Sequence, residues 1–278
     1  MKLLKNILIW VFAVILTATV LIYQRMTGPT YPQRGSVEIG SEKISYALLR
    51  TWMNEEYLQD QKGARISVKV EDLSVKGKCE YKRLGTADDW TVLDMQREAD
   101  ELIVMLPAQP AAGKLLYMIS LEKGDKSYSL TEVPVVIRFK SFIPGWIPPP
   151  HVFLIFIALL FSTMTAVEAL RRGKRVTPYA LLTLVSMLIG GLIMGPMMQK
   201  YAFGAYWAGW PFGHDMTDNK TLVAFIFWVI AYFVLRKNPG NRFWPVFAAF
   251  VTLAIFVIPH SVLGSEFDYS AGEVVTGR

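Results

Sequence analysis

Apolar residues in this chain fall in blocks separated by polar stretches. Five blocks, at 7–23, 152–170, 179–198, 221–235 and 243–263, approach the roughly 20 mostly apolar residues that a helix needs to cross about 30 Å of hydrocarbon. They predict five transmembrane helices. The fourth block is short and must borrow polar flanks or sit in a locally thinned bilayer. The first has a basic lead-in, "MKLLK", but it is long for a signal peptide's apolar core. No small-residue cleavage site follows it, so the reading is a retained anchor.

Between the first two blocks the periodicity changes to two. In "RISVKVED", Ile66, Val68 and Val70 alternate with Ser67, Lys69 and Glu71, which is the signature of a strand with one buried face. "KCEYKRL" sets Cys79 and Tyr81 against Glu80 and Lys82. "LLYMISLEKG" and "VPVVIRFK" repeat the alternation with Tyr117, Ile119, Leu121 and with Val135, Ile137, Phe139. Turn signals such as "VKGK", "GTADD", "QPAAGK" and "EKGDK" separate these runs. Short strands at this spacing predict a two-sheet antiparallel sandwich. The stretch from "YKRLGTADDWTVLDM" to "LPAQPAAGKLLYMISL" resembles an immunoglobulin-like or fibronectin-III-like module, although no Cys…Trp…Cys core is present. That resemblance implies architecture only, because such sandwiches serve adhesion, assembly and sensing alike.

The net charge of +6 changes the picture less than it first suggests. Residues 24–150 hold 17 Lys+Arg against 17 Asp+Glu. The excess lies in Lys2 and Lys5, in Arg171, Arg172, Lys174 and Arg175, and in Arg236, Lys237 and Arg242, opposed only by Glu168. Basic residues flanking membrane helices mark the cytoplasmic side, and all three groups share one side if all five helices cross. The charge therefore points to the bilayer as partner, and not to nucleic acid. The expected topology puts the N-terminus in the cytoplasm of a cell (inner) membrane, with residues 24–150 and the C-terminus outside. The single cysteine, Cys79, excludes an intrachain disulfide and Cys-rich metal sites. "IPGWIPPPH" reads as a stiff collar into the second helix, with Trp146 at headgroup level.

Candidate chemistry concentrates at one boundary. With this topology His151, His214 and His260 all lie at the outer membrane surface. "WPFGHDMTDNK" adds Asp215 and Asp218, and the tail acid Asp268 completes a candidate set. Imidazole and carboxylate suit a divalent metal, for which the candidates are His214, Asp215, His260 and Asp268. Haem ligation is the other cofactor that the histidines allow, with His151 the weakest member. Asp218 is expected to cap the fourth helix. In the third helix Ser186, Gly190, Gly191 and Gly195 form a small-residue stripe for close helix packing.

The domains expected are an anchor at 1–23, an extracytoplasmic β-sandwich at 24–145, a four-helix transmembrane domain at 146–263 and an extracytoplasmic tail at 264–278. No catalytic grouping stands out in the strands, and the bilayer blocks are almost free of ionisable residues, which counts against ion-coupled transport. Three functions stay open. One is a non-enzymatic accessory or interaction protein with a membrane or periplasmic protein partner in an envelope complex. Another is a redox-associated subunit carrying a metal or haem at His214 and His260. The last is a membrane enzyme acting on lipid or quinone, with His214 as base oriented by Asp215 or Asp218.

Overall fold

The computed structural model describes residues 2–40, 42–55 and 63–276. A long helix, α1 (Lys2–Met26), leads into eleven strands: β1 (Gln33–Ile39), β2 (Glu42–Leu48), β3 (Thr51–Met53), β4 (Ala64–Lys69), β5 (Lys76–Arg83), β6 (Thr91–Asp94), β7 (Gln96–Glu98), β8 (Glu101–Leu106), β9 (Lys114–Lys123), β10 (Lys126–Ser129) and β11 (Val135–Lys140). Helices α2 (Pro148–Leu170), α3 (Val176–Met187), α4 (Gly195–Phe203), α5 (Met216–Lys237) and α6 (Phe243–Val257) follow, and a π-helical turn, Leu188–Met194, joins α3 to α4. A hairpin of β12 (Glu266–Asp268) and β13 (Glu273–Val275) ends the described chain.

The alternation read from the sequence sorts side chains as expected within the strand region. Ile66, Val68, Cys79, Tyr117, Ile119, Leu121, Val135, Ile137 and Phe139 all enter one core. That core lies between a sheet ordered β3-β11-β9-β5-β6, with β10 paired to β9, and a sheet ordered β4-β8-β7. The β1–β2 hairpin adds Ile39, Ile44 and Leu48 to the same core. Tyr117 is fully buried, and its hydroxyl donates to the Leu49 carbonyl at 2.8 Å, so the phenol costs no unmet hydrogen bond. The arrangement is not wholly antiparallel, because β3 lies parallel to β11 with Thr51 opposite Arg138. Among the described residues the sheets remain open and separate.

Four helices are long and apolar enough to cross a membrane: Leu3–Met26, Pro148–Leu170, Val176–Phe203 and Met216–Lys237. This corrects the expected five in two places. The short fourth block gains length because Met216 to Lys220 are already helical. The fifth stops at Val257 and spans only 15 residues, or about 22 Å. Its end has a local cause: Ile258 precedes Pro259 and is forced into extended backbone.

The bundle packs along narrow stripes. In α1 only Ala13, Thr17, Val20 and Gln24 are buried, spaced as one helical face. Leu4, Leu8, Phe12, Ile15 and Ile22 of α1 are exposed and apolar. In α5 the stripe is Thr221, Ala224, Trp228, Ala231 and Leu235. The Trp228 indole donates to Thr252 Oγ1 of α6 at 2.9 Å.

The glycines of the π turn face two different neighbours. A Cβ on Gly190 would stand 2.7 Å from Leu154 Cβ of α2, and one on Gly191 would stand 2.7 Å from Thr221 Cγ2 of α5. At Gly195 the nearest atom is His151 Cε1 at 3.7 Å, an ordinary contact. Gly190→Val should therefore destabilise the purified protein by about 1–3 kcal/mol through overpacking. Gly195→Ala should stay within about 0.5 kcal/mol. Thermal unfolding in detergent checks the pair, and equal losses at both positions would contradict this packing.

Candidate functional site

The polar loop before α5 is consumed by its own backbone. Asp215 is the residue that caps α5, accepting from Thr217 N at 2.8 Å and Asp218 N at 3.3 Å. The cap thus falls three residues before the expected Asp218. Asp218 instead accepts from Ala208 N at 2.7 Å, and Asn219 Oδ1 accepts from Trp210 N at 2.6 Å. These two bonds fold the aromatic loop from Trp207 to Trp210 back over the helix start. Asp215 and Asp218 both set negative groups at the start of α5, where the macrodipole favours them.

The candidate metal ligands occupy separate settings. His214 is exposed on the loop, while Asp215 is buried at the cap. Asp268 holds the turn of the final hairpin, its Oδ1 accepting from Ser270 N at 2.9 Å and Ala271 N at 3.1 Å. His260 follows α6, and its backbone N–H donates to the Gln24 carbonyl of α1 at 3.4 Å. Among the described residues no three His, Cys, Asp or Glu side chains gather as a metal-ligating group. His151, the weaker haem candidate, places Nδ1 2.8 Å from the Gly190 carbonyl. That carbonyl belongs to the π turn and also accepts from Gly195 N. The nearby Pro196 has no N–H to continue a regular helix.

A different cluster forms where the β domain meets the bundle. Strand β11 buries Val135, Ile137 and Phe139 in the core, so Arg138 and Lys140 share its opposite face. In an isolated sandwich that face would meet water. Here Ser141 N donates to the Ala202 carbonyl of α4 at 3.0 Å and draws the strand onto the helix ends. Arg138 is consequently 6% exposed, and its guanidinium lies 4.0 Å from the centroid of the Phe203 ring, a cation–π contact.

The final hairpin closes the same junction from the side. Phe267 N donates to the Ala112 carbonyl at 3.1 Å, and Tyr269 Oη donates to Gln109 Oε1 at 2.9 Å. Lys114 Nζ pairs with Glu266 at 2.6 Å. Gly264 lets the chain pass between Arg138 and Asp215, since a Cβ there would stand 2.9 Å from Arg138 Nη1 and 3.4 Å from Asp215 Oδ2. Bundle residues complete the layer. Lys220, 4% exposed, donates to the Ile258 carbonyl at 3.0 Å, and Gln24 Nε2 donates to the same oxygen at 3.3 Å.

This layer carries more positive charge than it neutralises. Lys114 stands directly across from Arg138 in the β9–β11 register, a like-charge neighbour that destabilises unless countered. Glu266 pairs directly with Lys114. Among the described residues the buried Nε and Nη2 of Arg138 have no hydrogen-bond partner. Burial, opposed by the charges of Asp215 and Glu266, draws the Arg138 guanidinium below its ordinary value, yet arginine stays protonated near neutrality. Burial first, then the charges of Arg138 and Arg25, pushes Lys140 down to about 8. Burial and the charges of Lys220, His151, Lys140 and Arg25 hold His260 well below its ordinary value. Burial is the larger cause in both groups, and the neighbouring cations add to it.

Sequence reasoning missed Arg138 and Lys140 because they occupy the polar phase of an alternating strand. A usable signal was present: β11 ends eight residues before α2 begins, so its outward face has little room to stand clear of the helix ends. The chain matches no protein-family model, and comparisons with curated proteins and with solved structures give no match.

A pH prediction follows from Lys140. Its folded value lies below its unfolded one, so between about pH 8 and 10.5 the unfolded chain binds the extra proton, and stability rises with pH across that window. In lipid-free detergent the melting temperature of the wild type should climb toward that of Lys140→Met between pH 8 and 10.5, with the variant higher at pH 7. A difference that does not change with pH would place Lys140 in water.

Proposed function

We propose that this chain is a multi-pass membrane accessory protein that presents an immunoglobulin-like β-sandwich outside a cell membrane, as one subunit of an envelope complex. The observation that carries this reading is the junction. The β domain is pinned to the bundle by Ser141–Ala202, by the hairpin contacts of Phe267 and Tyr269, and by the Lys114–Glu266 pair. A catalytic domain does not require such rigid coupling to a helical bundle, whereas a platform that sets a partner's height and angle above the bilayer does.

Three further features support it. The strand orders β4-β8-β7 and β11-β9-β5-β6 correspond to the B-E-D and G-F-C-C′ orders of an immunoglobulin variable-type sandwich, with β3 as an added edge. The basic segments beside α1, α2 and α5 agree with a cytoplasmic N-terminus, and the C-terminus then lies outside if α6 crosses as a short fifth span. At the far edge of the larger sheet, β6 leaves Val92 55% exposed, with Trp90 just before it 37% exposed, and an open strand edge is a template for a partner chain.

Alkaline-phosphatase fusions should be active after Pro149 and after Thr276, and silent after Lys174 and Asn238. Activity after Lys174 would overturn the topology. Val92→Lys should release a co-purifying partner while leaving stability within about 0.5 kcal/mol of wild type. A complex of unchanged mass would remove the β6 edge from the interface.

A further inference from the structure

The junction holds buried Arg138, half-buried Lys140 and exposed Arg25, more cations than the carboxylates that reach them, and an apolar groove opens beside it. Arg138 is 6% exposed with Nε and Nη2 unpartnered. The side chain of Lys140, two residues along on the same strand face, makes no hydrogen bond or ion pair with any described residue, its backbone carbonyl being taken by Asn54 N. Arg25 approaches from the end of α1, and its charge bears on both Lys140 and His260. Its one side-chain hydrogen bond goes to Thr30 Oγ1 at 3.0 Å. Asp215 is engaged by the start of α5, and Glu266 by Lys114. Buried charge without a counter-charge is costly, so a group that supplies negative charge here has a large return.

One helical turn from Arg25, on the same face of α1, Leu21 enters an apolar groove of about 580 Å³. Its other walls are Pro148, Pro149, Val152, Phe153 and Phe156 of α2. We infer that the junction is a binding site for one anionic phospholipid, its phosphate held by Arg25 and Lys140 with Arg138 behind them, and an acyl chain lying in the groove. The lining and the position of the groove select a lipid over a soluble anion. The groove is almost purely apolar, and it meets the cations at the helix ends, where headgroup and hydrocarbon also meet. The uncompensated phosphate of an anionic headgroup answers the cations, whereas a zwitterionic lipid brings its own ammonium against them. The inference rests on the membrane placement proposed above, which the fusion reporters test separately.

The experiment uses the full chain, stripped of lipid in detergent and offered phosphatidylglycerol, phosphatidylcholine or inorganic phosphate in separate arms. Native mass spectrometry counts bound lipid, and thermal unfolding reads stabilisation. One phosphatidylglycerol should be retained at detergent concentrations that remove phosphatidylcholine, and it alone should raise the melting temperature. The double variant Arg25→Gln, Lys140→Gln should weaken that binding at least about tenfold. It removes mutually repelling charges, so it should fold, with a lipid-free melting temperature no lower than wild type. Val152→Trp, placed in the groove, should lose the lipid while keeping all the cations. Equal retention of both lipids, or an unchanged affinity in the double variant, overturns the inference. Stabilisation by inorganic phosphate equal to that by phosphatidylglycerol overturns it in favour of a soluble anion.

Discussion

Strand β11 is covered on both faces, and the rest of the molecule is arranged around that fact. A strand buried on both sides usually belongs to the middle of an α/β sheet. Here it lies near the edge of a mostly antiparallel sheet, and its second cover is supplied by the end of a helical bundle. Core residues hold one side through Ile137 and Phe139. On the other side Arg138 stacks on Phe203, and the backbone after the strand bonds to α4. The sheet face cannot turn toward water without exposing Phe203 and freeing Ser141 and Ala202.

That contact explains why the polar groups around it are so thoroughly used. Asp215, Asp218, Asn219, Gln24 and Lys220 each bind backbone of a neighbouring segment. They tie the ends of α1, α5 and α6, together with the aromatic loop, into one layer on which the sheet can rest. The same layer leaves Arg138 and Lys140 without counter-charge. Satisfying a buried cation takes either a carboxylate with good geometry or a ligand that brings the charge with it, and the local carboxylates are already committed to capping and to Lys114.

How far this was legible in the sequence follows from the range of the interactions concerned. The strands could be read because alternation is local: Ile66, Val68 and Val70 declare their shared face within six residues. The apolar helices could be read for the same reason, although their ends could not. Pro259 ends α6 early, and the polar residues before Thr221 turn out to be helical. The Asp215 cap was misplaced because either aspartate suits a helix start, and only the bonds from Ala208 and Trp210 decide between them. The histidines shared a boundary in the sequence reading, but a boundary is a plane, and points on a plane need not meet. Arg138 was hidden most completely. Its position in the alternation is indistinguishable from that of a solvated surface residue, and its burial depends on α4 and on the hairpin from Glu266 to Val275, which lie far along the chain.

The central claim is that the β domain and the bundle are one rigid body joined at this layer. Spin labels on Lys126→Cys and Phe212→Cys test it directly, because both positions are exposed and the native Cys79 is buried and will not compete. Burial also pushes the Cys79 thiol up to about 12, which suppresses its reactivity further. Pulsed dipolar spectroscopy in lipid nanodiscs should give a single narrow distance distribution. It should broaden when Glu266→Lys breaks the pair with Lys114. A broad distribution in the unaltered protein would mean that the sheet moves freely above the helices, and would contradict the account.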